Sequence, residues 1–249
     1  DGVYLPLRIP ADVLKVSLQE YEKLGFQGFS VTIPHKEDVL DFADSPDVQS
    51  DLIGAANTLF KVGTEWHATN TDYDAIIETI NDAMVAAKLD QPSFKDKRVL
   101  ILGAGGVARA AACAMQQQDA NVVITNRTRN RAKVLAEELG CRTTLWANRG
   151  SEQCDILINC TSVGMHPNVD ETPYEQHWLN ESMLVFDTVY TPENTLLLKH
   201  ARLRGCPTAS GIEMFIRQAA HQFKLFTGQE PPMEYMIETL RRSLSAVRS

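Results

Sequence analysis

Apolar positions along this chain change period several times, and each change marks an element. Val3 to Leu7 reads as a short strand already under way. Residues 10–24 place Val13, Leu14, Val16, Leu18 and Tyr21 between charges, which predicts an amphipathic helix closed by Gly25. Residues 26–33 then alternate as a strand. Pro34-His35-Lys36 opens a predicted helix through Phe42, since proline's missing N–H costs nothing in a first turn. Residues 55–61 and 66–70 flank a Val62-Gly63-Thr64-Glu65 turn and predict a hairpin. Asn70-Thr71-Asp72 leads into a helix carrying Ile76, Ile77, Ile80 and Met84.

Polar residues 90–93 are the best single candidate for a domain boundary, although an interdomain helix could begin as early as Tyr73. Beyond them, strands and helices alternate. Residues 98–102 and 120–125 read as strands around an alanine-rich helix, and a helix runs from Asn130 to Gly140. Residues 155–160 and 184–189 read as buried strands, and residues 192–204 as a helix closed by Gly205. Such alternation predicts a doubly wound parallel sheet whose ligand lies outside the strand C-termini. Thr161-Ser162-Val163-Gly164-Met165 leaves one of those ends as a plausible cofactor lip. A helix over 211–228 carries an apolar stripe of Ile212, Phe215, Ile216, Ala219, Phe223 and Phe226, with Arg217 and Lys224 toward solvent and Met214, Gln218 and Leu225 on a third face. Gln218 fits either the wall of a polar cleft or a partly exposed position. A last helix runs from Pro232 to about Val247.

Composition narrows the class. A 249-residue chain with 44% hydrophobic residues can bury a core in one or two domains. No apolar run is long enough to span a bilayer. Twenty-four basic against 32 acidic residues, net −8, argue against a nucleic-acid partner. The five cysteines form no C-x-x-C pair and the six histidines are dispersed, so reduced buried thiols in a cytoplasmic protein are expected, with no metal.

The glycine turn carries the first candidate chemistry. Gly103, Gly105 and Ala108 occupy the G-x-G-x-x-G/A positions, where absent side chains let backbone approach a pyrophosphate on a helix N-terminus. At the end of the next strand, where an NAD site usually places an acid, stand Asn126-Arg127-Thr128, followed by Arg129 and Arg131. A guanidinium there suits a 2′-phosphate, so the cofactor expected is NADP. A glycine-rich turn ahead of a solvated basic helix start is the plainer alternative. For proton transfer the candidates are Lys36, beside a strand-proline turn near a helix N-terminus, and Asp72, placed to be its carboxylate partner. A surface lysine and a helix-capping aspartate remain the competing readings.

Six ordered motifs resemble the shikimate dehydrogenase family: Val31-Thr32-Ile33-Pro34-His35-Lys36, Gly54-Ala55-Ala56-Asn57-Thr58, Asn70-Thr71-Asp72, Gly103-Ala104-Gly105-Gly106, Asn126-Arg127-Thr128, and Gly211-Ile212-Glu213-Met214 through Gln218-Ala219-Ala220. The resemblance covers essentially the whole chain. It implies reversible NADP-linked reduction of 3-dehydroshikimate to shikimate, in aromatic amino-acid biosynthesis. It implies a Rossmann-type sheet over 73–211, and a smaller α/β substrate domain from 1–72 and 212–249, with a cleft between them. Lys36 matches the family's catalytic lysine and Asp72 its partner; Thr32, Asn57, Tyr190 and Gln218 match substrate contacts. Gly103, Ala104, Gly105, Gly106, Val107, Asn126, Arg127, Thr128, Arg131, Thr188 and Gly211 match cofactor positions. Two departures stand out. The family's upstream Ser-x-Ser-Pro segment, which holds the substrate carboxylate, precedes the point where this chain starts, and Ser243-Leu244-Ser245 is no substitute; the chain is therefore expected to be a fragment of a longer enzyme or of one with a fused upstream enzyme domain. Ala stands where valine is common in Gly54-Ala55-Ala56-Asn57. Quinate or quinate/shikimate dehydrogenase, and a non-catalytic ligand-sensing relative, are the competing functions.

Overall fold

The computed structural model describes residues 2–88 and 93–246. It divides into two compact units, Asp1–Asn70 and Thr71–Ser249. Of the expected boundary segment, residues 90–92 lie outside the described residues.

In the first unit, a short 3₁₀ turn leads into α1 (Leu14–Lys23), and the chain leaves it through Leu24 and Gly25, whose φ is +88°. Strands β1 (Gly28–Ser30), β2 (Ser45–Pro46), β3 (Thr58–Val62) and β4 (Glu65–Thr69) form a sheet in the order β1-β3-β4-β2. The predicted hairpin is β3-β4, antiparallel, with Val62 opposite Glu65 and Gly63 at φ +64° in the loop. Leu14 and Leu18 from α1 pack with Phe29, Val39, Leu59 and Trp66. Helix α2 (Val48–Ile53), which the apolar pattern did not signal, is capped by the Asp47 carboxylate accepting from Ser50 N at 2.7 Å and ends at Gly54, φ +68°.

Three expectations for this unit need correction. Val3 to Leu7 is no strand: it has no ladder partner among the described residues, and Val3 and Tyr4 are exposed. The strand predicted over 26–33 holds only from Gly28 to Ser30, because the chain turns at Thr32, whose carbonyl accepts from His35 N at 2.9 Å. The helix predicted from Pro34 to Phe42 is a turn followed by a five-residue 3₁₀ segment, Asp38–Phe42. An α-helix would need the Lys36 carbonyl for Leu40, but it accepts Ala56 N–H at 2.7 Å, while Leu40 N bonds Glu37. Lys36 therefore does not precede an α-helix.

The second unit opens with α3 (Thr71–Ala86) and continues through β5 (Arg98–Leu102), α4 (Gly106–Gln117), β6 (Asn121–Thr125), α5 (Arg129–Leu139), β7 (Arg142–Thr143), β8 (Ile156–Asn159), β9 (Leu184–Asp187), α6 (Leu196–Leu203), β10 (Thr208–Ser210), α7 (Gly211–Thr227) and α8 (Met233–Ala246). The six strands pair in parallel in the order β10-β9-β8-β5-β6-β7. Central strands are buried on both faces, which is why Val99 to Leu102 and Ile156 to Ile158 read as continuous apolar runs rather than alternating ones. Alanines of α4 let it lie close to the sheet; Ala110, Ala111, Ala112 and Ala114 are fully buried. Helix α7 packs on α3, where Arg217 reaches Glu78 at 3.3 Å and also Asp82.

Two boundaries here also differ from expectation. Strand β9 stops at Asp187, not Val189: Thr188 N makes the last ladder bond, to the Asn159 carbonyl, and Val189 N turns back to the Asp187 side chain. Helix α6 starts at Leu196, not Pro192, because the Thr195 hydroxyl caps it, accepting from Leu198 N at 3.3 Å.

Candidate active site

In the second unit the strand order reverses between β5 and β8, the point where open α/β sheets bind ligands beyond their strand C-termini. Both loops that leave this point are specialised. Gly103 follows β5 at φ +123°, and a Cβ on it would lie 2.9 Å from the Cys160 carbonyl oxygen at the end of β8. Only glycine fits both the conformation and the contact. Gly105 is different: it is extended, and a Cβ there would meet nothing within 4 Å. No side chain caps α4 at Gly105, at the end of the helix where the first N–H groups lack intrahelical acceptors. Ala104, Gly106 and Val107 border the same turn and are partly exposed. This cradle fits a pyrophosphate.

At the next strand end, Asn126 Nδ2 donates to the Thr128 carbonyl at 3.1 Å and shapes the turn ahead of α5. Arg127, Thr128, Arg129 and Arg131 are exposed there. On the other side of the switch point, Thr188 Oγ1 and N both donate to the Asn159 carbonyl, at 2.8 and 3.0 Å. Gly211 starts α7 directly against this stretch; a Cβ would lie 2.5 Å from the carbonyl oxygens of Thr188 and Val189. The structure thus brings Thr188 and Gly211 together. Tyr190 is 40% exposed and packs against Phe215 of α7 with the rings tilted, centroids 4.7 Å apart. Gln218 Nε2 donates to the Phe215 carbonyl at 3.0 Å, so Tyr190 and Gln218 share one neighbour. Asp72 is buried in the first turn of α3.

In the first unit, backbone bonds gather Thr32, Lys36 and Asn57. Val31 N donates to the Asn57 carbonyl, and Ala56 N to that of Lys36, both at 2.7 Å. Asn57 is buried and its Oδ1 accepts from Thr58 Oγ1 at 2.7 Å; Thr32 is exposed. Lys36 is only 9% exposed, which is not the placement of an ordinary surface lysine. Its neighbour His35 points Nε2 at the Ile9 carbonyl, 2.8 Å away, and so ties the turn to the chain ahead of α1.

Sequence reasoning missed a polar network at the ends of β8 and β9. Asp187 accepts from Asn159 Nδ2 at 2.9 Å, from Thr195 Oγ1 at 2.7 Å and from Val189 N at 3.1 Å. Asn159, Asp187 and Thr195 are fully buried. Burial pushes the Asp187 carboxyl up to about 6, while the Thr195, Val189 and Asn159 hydrogen bonds hold it lower than burial alone would. The available signal was an acid and an amide closing two apolar strands at their C-terminal ends. The five cysteines are free thiols; burial pushes Cys154 up to about 12 and Cys141 to about 11, which leaves them unreactive.

A six-stranded parallel sheet in this order, with a side-chain-free turn at its switch point and an exposed arginine cluster at the next strand end, defines a dinucleotide-binding α/β protein. The chain belongs to the shikimate dehydrogenase family. Residues 1–59 match the shikimate dehydrogenase substrate binding domain, residues 84–194 the shikimate / quinate 5-dehydrogenase family, and residues 211–241 the shikimate 5′-dehydrogenase C-terminal domain. It is 36% identical to shikimate dehydrogenase (NADP(+)) of Methanothermobacter thermautotrophicus over 98% of this chain and 87% of that protein. It is 41% identical to the chloroplastic bifunctional 3-dehydroquinate dehydratase/shikimate dehydrogenase of Arabidopsis thaliana, over 94% of this chain but only 40% of the longer protein. A crystal structure of shikimate dehydrogenase in complex with NADP+ superposes with a TM-score of 0.86 at 33% identity, covering 95% of this chain and 83% of that one.

Proposed function

We propose that this protein catalyses the reversible NADP-linked reduction of 3-dehydroshikimate to shikimate. The observation that carries the reading is Lys36, a lysine held almost out of solvent in a turn bonded to the Asn57 segment, in a chain that also carries the glycine cradle. Gly103, Ala104, Gly105, Gly106 and Val107 receive the pyrophosphate, and Asn126, Arg127, Thr128 and Arg131 the 2′-phosphate. Thr188 and Gly211 border the nicotinamide half. The bound cofactor supplies or accepts a hydride at the reacting carbon. Thr32, Asn57, Tyr190 and Gln218 orient the substrate. Lys36 delivers a proton to the carbonyl oxygen in reduction and takes it from the hydroxyl in oxidation, with Asp72 as its partner. Residues 1–72 with 212–249 serve the substrate and 73–211 the cofactor.

Shikimate-dependent formation of NADPH tests this reading, and tight binding of shikimate without turnover would replace it by a ligand-sensing one. In a second reading the substrate is quinate, which the shikimate / quinate family match over residues 84–194 supports, and the cofactor is NAD. Side-by-side kinetics with both substrates and both cofactors separate the two. Likeness to a bifunctional protein supports a fused upstream enzyme domain, and the free thiols support a cytoplasmic site of action.

A further inference from the structure

We propose that Asp187 is the positioning residue of this site: its carboxylate ties off the loop 188–194 at its base and locks it to the neighbouring loop 160–165. The inference rests on the dehydrogenase reading above and adds a residue to which that reading gives no role.

Oδ2 of Asp187 accepts from Thr195 Oγ1 at 2.7 Å, and Asp187 and Thr195 are the residues immediately before and after the loop 188–194. One bond therefore closes the loop. Oδ1 accepts from Val189 N inside the loop and from Asn159 Nδ2 at the end of β8. The same Asn159 side chain uses its Oδ1 to accept from Thr161 N at 3.0 Å and Thr161 Oγ1 at 2.7 Å, and so holds the start of the second loop. Thr161 Oγ1 in turn accepts from Val163 N at 3.2 Å. Every residue the dehydrogenase reading uses in the loop 188–194 hangs from this network: Thr188 through the Asn159 carbonyl, and Tyr190 one residue beyond the Val189 N–H that Asp187 holds.

A fully buried carboxylate is an expensive way to close a loop, since desolvation opposes its charge. It supplies what an amide cannot, acceptors on both oxygens for three donors at once. Misplacement of a positioning group by about 1 Å costs on the order of 100-fold in rate, so such rigidity has a kinetic role at a hydride-transfer site.

The test compares Asp187→Ala, Asp187→Asn and Thr195→Val with the wild type, as folded enzyme, for kcat, shikimate KM, and affinity for adenosine 2′,5′-bisphosphate, which reports the cofactor's other end. The proposal expects Asp187→Ala to lose kcat by about 100-fold with shikimate KM raised, and bisphosphate affinity to stay within about threefold. Asp187→Asn, which keeps one oxygen for Val189 and Asn159, restores most of the loss, and Thr195→Val shows a smaller loss of the same kind. Should Asp187→Ala not fold, the other two variants decide by the same readouts. A kcat unchanged across the variants, or bisphosphate affinity falling in step with kcat, overturns the proposal alone. A wild type without shikimate turnover overturns the dehydrogenase reading and this inference together.

Discussion

Gly103 leaves β5 at φ +123° with the carbonyl oxygen of Cys160 where its Cβ would be, 2.9 Å away. Two glycines of one turn consequently have different jobs. Gly103→Ala must move backbone and is expected to cost about 1–3 kcal/mol in urea unfolding. Gly105→Ala, in extended backbone with open space around it, is expected to cost at most about 1 kcal/mol, yet to raise KM for NADP about tenfold or more by occupying the cradle. Equal stability losses in the two variants would contradict this division.

Lys36 gives the second prediction. Lys36→Ala should keep the far-ultraviolet circular dichroism of the wild type and lose about 10²–10⁴ in kcat, the usual range for a general acid–base group. Turnover within about tenfold of the wild type would remove Lys36 from proton transfer.

Arg127 bears on cofactor choice. It stands exposed after β6 where an acid would read a ribose hydroxyl. Arg127→Ala removes charge-assisted bonds worth about 1.5–3 kcal/mol, so KM for NADP should rise about 10- to 100-fold while KM for NAD stays constant. A parallel rise for both cofactors would show that the guanidinium does not read the 2′-phosphate.

Asp187 makes stability depend on pH in a defined direction. Its carboxyl moves from 3.8 to about 6 on folding, chiefly through burial. The native state then binds the proton more tightly than the unfolded state, so this group's contribution is fully present below pH 3.8 and lost as pH rises through about 6. Two units correspond to roughly 3 kcal/mol. Asp187→Asn lacks the titration, so its stability relative to the wild type should increase by about that amount between pH 4 and pH 6.5 in urea unfolding, with other groups cancelling. A difference that does not vary with pH would refute the buried charge.

Local pattern reached most elements whose neighbours in space are neighbours in sequence. The β3-β4 hairpin, the β5-α4-β6 unit and the apolar strands β8 and β9 were legible because period, glycine and turn chemistry act within a few residues. The turn at residues 33–37 was not, because the bond that withholds the Lys36 carbonyl from a helix comes from Ala56, twenty residues on. Val3 to Leu7 had strand character but no strand to pair with among the described residues, which alternation cannot report.

The sequence by itself determined the family, the cofactor turn and the identity of the residues proposed for catalysis, since these rest on residue types at short spacing. Tertiary structure decided which glycines are forced, how deeply Lys36 is buried, and that Asn159, Asp187 and Thr195, spread over 37 positions, form one network. Hydrogen bonding and desolvation act through distance in space, and no local pattern of apolar residues encodes which distant chain segments will meet.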